Sequence, residues 1–500
     1  MRSGSSRFTS GTFSSGSTFS RSGTNRPKPG PDDPLSIAYL TYRGKPHVGG
    51  QGVYTRHLTK ALVDLGHHVE VLSGQPYPVL DERVPLIKLP SLDIYNDHFP
   101  MRMPAWWELK NVWDWAEVTA FSTGTFPEPL AFTLRAWDNL RTRADEFDLV
   151  HDNQSLGYGL LLMERMGLPV LGTIHHPITM DRRLEMRHAE SAFQRWSKAR
   201  WYAFTKMQTR VATRLQRIIT VSQSSYDDIC RDHMVSPEKL HIVPVGVDPD
   251  LFVPMPGVER NPNQIISTAS SDVTMKGQRY LLEALAKLRA ERPELKLIMV
   301  GRLKEGSAAQ RTIAELALED AVEFVSGITD EELVTLYNSS ACAVVPSLYE
   351  GFSLPAIEAM STGCPLVATT GGAIPEVAGN DGETCYMTIP GDSESLAAGI
   401  RRALDDQETA KRIGAAGRER VINRWSWRHT AERTVEHYRA LLELDDAQHH
   451  NTAGRPVDTH HVSTNGSTVD VTSNGTASIS APAGASGSDT VAADSDSVEV

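Results

Sequence analysis

Cysteine is scarce and scattered. Cys230, Cys342, Cys364 and Cys385 form no CxxC pair in 500 residues. That spacing excludes a disulfide framework and a clustered zinc site, and a reducing cytoplasm is the expected setting. No apolar run approaches the roughly 20 residues needed to cross a bilayer, and the opening Met1–Ser6 lacks an apolar signal core. Positive charge is in deficit: 50 Lys and Arg stand against 62 Asp and Glu, a formal charge of −12 that argues against general nucleic-acid binding. What remains, 40% hydrophobic and 22% charged, is an ordinary globular composition long enough for two domains with tails.

Both ends are poor in core-forming residues. Residues 1–34 are mainly Ser, Gly, Thr and Pro, and residues 447–500 are mainly Ser, Thr, Ala, Gly and Asp. Neither composition offsets the entropy of ordering, so both are expected to be disordered tails. The pairs His449-His450 and His460-His461 are too isolated to suggest a metal site.

Between the tails, short apolar runs alternate with helical patterns. Ser36–Thr41, a glycine loop Val48-Gly49-Gly50-Gln51-Gly52, a helix over 53–65 and a strand over 69–72 make a βαβ opening. Leu149–His151, a helix near 160–166 and Val170–Ile174 repeat it. Residues 90–130, rich in Trp and Pro, read as an irregular insertion. After a Pro/Asn-rich linker near 254–263, a fresh α/β series begins at Ile265, with strands at 297–300, 322–325, 342–345 and 366–368 and a last helix over about 430–444. The stretch Arg182–Arg217 is basic with interleaved aromatics. It suits either an anionic membrane surface or a solvated surface helix, and an anionic acceptor is a third partner for it.

The most informative segment is Pro346-Ser347-Leu348-Tyr349-Glu350-Gly351-Phe352-Ser353-Leu354-Pro355-Ala356-Ile357-Glu358-Ala359-Met360. It follows the apolar run 341–345, so it reads as strand, turn and helix, placing free N–H groups and a helix N-terminus where an anionic phosphate could bind. Glu350 in the turn and Glu358 two helical turns on could accept hydrogen bonds from sugar hydroxyls; either carboxylate alone is equally at home in an ordinary acidic helix start. The segment resembles the Glu-x7-Glu motif of retaining family-4 glycosyltransferases, as do Gly327–Leu333 and Thr369–Val377.

That resemblance, spanning about residues 35–440, implies a GT-B fold of two Rossmann-like domains facing across a cleft. The expected division is an acceptor-side domain over 35–250, a nucleotide-sugar domain over 263–428 and a helix over 429–446 crossing back to the first. It further implies that Glu350 contacts the hexose and Glu358 the ribose. The backbone of Gly351, Phe352, Ser353 and Leu354 would meet sugar or phosphate, with Gly50 facing the donor phosphate. Lys276 matches the family lysine on the diphosphate, but the family arginine five residues earlier is Ser271 here, so Arg302 becomes the candidate for the missing charge. His175 matches the family histidine at the donor sugar, with His176 beside it.

Gly49, Gln51, His151 and Asn153 are candidates for the acceptor side, with structural capping an equal alternative for the 151–154 segment. Asp248-Pro249-Asp250 imitates a metal-binding DxD but lies in a linker motif, so no metal and no cofactor beyond the UDP- or GDP-linked co-substrate is expected. The implied reaction is retaining transfer of a hexose to a glycolipid or cell-envelope saccharide, at the inner face of the plasma membrane if the basic stretch seats there. A nucleotide-sugar sensor, or a phosphorylase or epimerase on the same scaffold, are the alternatives. Oligomeric state is not legible.

Overall fold

The computed structural model describes residues 26, 28–44, 50–95, 102–187, 189, 191–268 and 274–453, with side chains to 446. Residues 1–450 form one compact unit and 451–500 a second, of which only 451–453 are described. Gly49, Ser271 and most of both expected tails lie outside the described residues.

Two all-parallel sheets organise the chain. The first contains β1 (Ser36–Thr41), β2 (His68–Ser73), β3 (Leu86–Lys88), β4 (Leu149–Asn153), β5 (Val170–Ile174), β6 (Arg217–Thr220) and β7 (Leu240–Ile242), in the order β3-β2-β1-β4-β5-β6-β7. The second contains β8 (Asn261–Ser267), β9 (Lys296–Val300), β10 (Val322–Val325), β11 (Ser340–Val345), β12 (Leu366–Thr369) and β13 (Tyr386–Thr388), in the order β10-β9-β8-β11-β12-β13. Both are doubly wound Rossmann-like sheets, and every residue of β4 and β5 is buried, as parallel strands covered on both faces require. The winding reverses between β1 and β4 and between β8 and β11, so the ligand-binding crevices open at the carboxyl ends of those strands.

One hydrophobic cluster runs through both sheets, from Leu35 and Tyr39 through Val245 and Phe252 to Phe352 and Ile357. The helix Trp427–Ala453 contributes Trp427, Ala431, Tyr438 and Leu441 to that same cluster. It therefore begins in the second half of the chain and completes the core of the first.

The structure corrects four expectations. The region 90–130 is not wholly irregular: Val112–Ser122 is a helix, started by a capping box in which Asn111 and Asp114 satisfy each other's backbone N–H groups. The strand β8 starts at Asn261, inside the expected linker, and the last helix runs on to Ala453, into the expected tail. The final stretch of the expected N-terminal tail is anchored. The Arg26 guanidinium donates to Asp148 Oδ1 (2.6 Å), Ser36 Oγ (2.8 Å) and the Glu146 carbonyl (2.6 Å), while Arg439 donates to the carbonyls of Gly30 and Asp33 (both 2.8 Å). Composition counts apolar surface and misses a segment held by two guanidinium forks. Because Asp148 is buried, Arg26→Ala is expected to cost about 1.5–3 kcal/mol, read as a lowered thermal unfolding midpoint.

Candidate functional site

The loop after β11 and the turn Thr274–Lys276 are pinned together by their backbones. Leu348 N donates to Met275 O (2.8 Å), and Gly277, at φ 66°, lies so close to Pro346 that a Cβ would stand 1.9 Å from its carbonyl oxygen. This brings Lys276 Nζ to 2.8 and 2.9 Å from the two carboxylate oxygens of Glu350. Ser347 Oγ donates to the same carboxylate at 2.7 Å. The Glu350 carbonyl accepts from Ala373 N (2.9 Å), so the Thr369–Val377 segment fixes Glu350 from behind. An ammonium has three donors, and among the described residues Lys276 uses two of them, both on Glu350.

Beyond Glu350, Gly351, Phe352 and Ser353 lead into the helix Leu354–Ser361. Among the described residues nothing accepts from the backbone N–H groups of these three. Ser353 sits at φ 86°, ψ 80°, an unfavourable conformation for a residue with a side chain, and its buried Oγ has no partner among the described residues. A helix N-terminus with free donors, a buried hydroxyl and a lysine beside it is chemically suited to a phosphate. The side chain of Phe352 turns into the core against Trp425 (5.8 Å, edge-on), leaving its backbone to a ligand, and the partly buried Leu354 packs on the same cluster. Glu358 lies within the helix, with the Tyr337 hydroxyl donating to it at 3.4 Å. Arg302 is exposed just past β9, the strand beside β8, and Ser271 is outside the described residues.

The first sheet meets this loop at the end of β5. A Cβ on Gly351 would stand 2.4 Å from the His175 carbonyl oxygen and 3.2 Å from His176 Cβ. Ser222 Oγ donates to the Gly351 carbonyl (2.6 Å), and Ser225 Oγ donates to the His175 carbonyl (2.8 Å). Glu376 caps the helix Gln223–His233 from the opposite sheet, its carboxylate accepting from Gln223 N (2.8 Å) and Ser224 N (2.7 Å). Tyr349 OH donates to Asp228 (2.6 Å), and Arg56 pairs with Asp330 (2.8 Å). His176 binds Asp181 at 2.9 Å, and the fields of Lys276 and Glu350 reach it across the gap.

For two candidates the structure favours the structural alternative. His151 is fully buried, with Nδ1 bonded to Tyr438 OH (2.5 Å) and Nε2 to Thr173 Oγ1 (2.6 Å), so it has no group left for an acceptor. Asn153 is also fully buried and bonds to Gln51 O, Thr55 Oγ1 and the His175 ring. The Gln51 carbonyl is engaged by Asn153 and Thr55, while the position of Gly50 at the start of the helix Gly50–Asp64 is open, with nothing within 4 Å of a Cβ there. Asp248 uses its carboxylate to accept from Asp250 N and Leu251 N, closing its own turn.

Gln154, the last residue of the 151–154 segment, brackets the loop with its side-chain amide, accepting from His175 N (2.8 Å) and donating to His176 O (3.0 Å). Ser347 and Glu376 stand inside quoted motifs without being singled out. Ser222 and Ser225 lie in no segment that the sequence marked, and only their contacts reveal them.

The basic stretch is broken into the helices Thr179–Arg187, Ala192–Trp201 and Thr205–Ala212. Trp201 packs edge-on against Tyr95 (5.0 Å) and Phe204 is buried, whereas Phe193 and Trp196 are exposed. Several cations are engaged: Arg183 with Asp232, Lys198 with Glu185, Arg217 with His437. The first of these helices packs beside the Lys276 turn. No helix among the described residues is long and apolar enough to cross a membrane.

Two facing Rossmann-like sheets with a helix start and the Lys276–Glu350 pair at the join are the frame of a glycosyltransferase of the GT-B class. Residues 48–251 match Glycosyltransferase Family 4 and residues 256–420 match Glycosyl transferases group 1. The chain is 48% identical to the MMP alpha-(1->4)-mannosyltransferase of Mycolicibacterium hassiacum over 82% of its own length and 98% of that relative's. It is 26% identical to a D-inositol 3-phosphate glycosyltransferase of Streptomyces coelicolor, over 82% and 92% of the two chains. Sucrose-phosphate synthase from Thermosynechococcus elongatus shares the fold, with a TM-score of 0.63 at 23% identity, over 82% of this chain and 100% of that one. The Anabaena protein HepE, solved with UDP and glucose, gives 0.60 at 19%, over 80% and 98%. The chain belongs to the family-4 glycosyltransferases and is a glycosyltransferase.

Burial, with repulsion from Asp330, pushes the Glu358 carboxyl from 4.5 up to about 7. A carboxyl with a raised folded-state pKa opposes folding once ionised: the penalty is absent below about 4.5, grows toward 7 and is complete above it. Glu358→Gln is therefore expected to raise the unfolding midpoint of the ligand-free protein at pH 8, with the gap narrowing as the pH falls to 5. Thermal melts across that range check it.

Proposed function

We propose that the chain transfers a mannosyl unit from a nucleotide-linked mannose to a hydroxyl of a saccharide acceptor, forming an alpha-(1->4) linkage. The observation that carries this reading is the 48% identity to a mannosyltransferase of that linkage across 98% of the relative's length. With an α-linked donor, an α product means retention at the anomeric carbon.

In this reading the donor diphosphate lies on the start of the helix Leu354–Ser361, where the free N–H groups, the Ser353 hydroxyl and the third N–H of Lys276 meet its oxygens. Those groups stabilise the charge that develops as the bond from sugar to phosphate breaks. Glu350 holds Lys276 in place and lies beside the hexose, Glu358 takes the ribose hydroxyls, and His175 meets the hexose from the opposite sheet. The acceptor hydroxyl approaches on the same face, its oxygen bonding to the anomeric carbon while its proton passes to the departing phosphate. Lysine and helix dipole together supply the positive charge, so the reaction needs no divalent ion. The base is read as guanine or uracil.

A panel of GDP- and UDP-linked sugars, incubated with mannose oligosaccharides, tests the proposal. Nucleotide release is expected from a mannose donor, with an alpha-(1->4) product by NMR and no loss of rate in a chelator. Glu350→Gln is expected to slow transfer about 100-fold. Transfer of a different hexose, or dependence on a metal, would overturn the corresponding part.

A further inference from the structure

The first sheet carries two imidazoles on adjacent strands, and they are satisfied differently. On β4, His151 has a partner on each ring nitrogen. After β5, His175 has one: Nε2 lies 2.7 Å from Asn153 Oδ1, and no described residue bonds to Nδ1. Which nitrogen carries the proton follows from Asn153. Its Nδ2 lies 3.3 Å from the Gln51 carbonyl oxygen, a pure acceptor, and 3.1 Å from Thr55 Oγ1, which itself donates to that same carbonyl at 2.8 Å. Turning the amide over would set its oxygen against a carbonyl and a hydroxyl whose hydrogen is already committed. The amide oxygen therefore faces His175, and Nε2 must be the protonated nitrogen.

We propose that Asn153 is a positioning residue that locks His175 as the Nε2–H tautomer, so that Nδ1 is the lone-pair acceptor the ring offers to a donor-sugar hydroxyl. The identity of that ligand rests on the transfer reading above; the tautomer does not. Several groups keep the ring neutral. Burial, then the neighbouring His176, lowers its pKa to about 3. Tyr54 packs edge-on to it at 4.6 Å, and His151 on β4 is near enough that charge on the two imidazoles is mutually disfavoured. From the second sheet, the uncharged Gly351 backbone approaches the His175 carbonyl. Gln154 holds the backbone of the same loop, so ring and main chain are fixed by consecutive residues at the end of one strand. A neutral ring with a bare Nδ1 can accept a proton there but cannot donate one, which assigns His175 to orientation of the sugar rather than to acid catalysis.

The test is long-range 1H–15N NMR of the full chain labelled at histidine nitrogens, with His175 assigned by its loss in His175→Gln. A protonated Nε2 and a bare Nδ1 from pH 5 to 8 are expected. In Asn153→Ala the two ring signals should move toward the average of both tautomers, and turnover should fall about tenfold, the worth of one hydrogen bond, with nucleotide affinity within about twofold. In Asn153→Asp the carboxylate facing Nε2–H should raise the ring's pKa and give the activity an acid limb near neutral pH that the parent lacks. A proton on Nδ1 or a charged ring in the parent, or an unchanged tautomer in Asn153→Ala, would overturn the proposal. Because the NMR result needs no substrate, it stands apart from failure to find a donor.

Discussion

The contact on which the site depends is the one between Gly351 and the carbonyl of His175. Only a residue without a side chain permits a backbone approach this close, and the two loops it joins hold the groups that matter: Glu350 and Ser353 on one side, His175 and His176 on the other. The hydroxyls of Ser222 and Ser225, both from the first sheet's half, secure the approach from the flank. Glu376 does the converse, reaching from the second half to the start of a helix in the first. Polar contacts around that seam are directional, so they specify one mutual arrangement of the sheets. The apolar cluster running beneath them supplies area without direction.

Electrostatically the ligand-free site is restrained. Lys276 is matched by Glu350, and His175 is held neutral. Glu358 sits where ionisation is unfavourable. A cation held by a neighbouring carboxylate is already positioned when an anion arrives, and little reorganisation is left to the moment of binding. The desolvation of the Lys276–Glu350 pair is met by Ser347, whose hydroxyl occupies a further lone pair of the carboxylate.

What was legible in the sequence was local. The strand, turn and helix around Glu350 follow from an apolar run, a Gly-Phe-Ser turn and a proline at the helix start, and all of these lie within twenty neighbours of one another in the chain. The paired windings followed from the alternation of strand and helix patterns. His151 and Asn153 were placed at the right sheet edge, but the choice between acceptor contact and structural bonding stayed open there. Their partners are remote: Tyr438 lies 287 positions from His151, and Thr55 lies 98 from Asn153. The helix Val112–Ser122 was obscured by its tryptophans, although Asn111 and Asp114 spell a capping box. The anchoring of Arg26, Gly30 and Asp33 depends on Arg439 and Asp148, which no reading of an arm rich in small residues would supply.

The long C-terminal helix also has a consequence for synthesis. The last strand of the first sheet ends at Ile242, yet Tyr438 caps His151 and Leu441 fills the same core as Leu35. At about 5–20 residues per second, the ribosome needs roughly 10–40 s to travel from one to the other. During that interval the nascent first domain has a gap in its interior and a buried imidazole lacking one partner. The domain that emerges first is thus among the last to be finished, and a chain released early would present an unsealed apolar surface to chaperones and proteases.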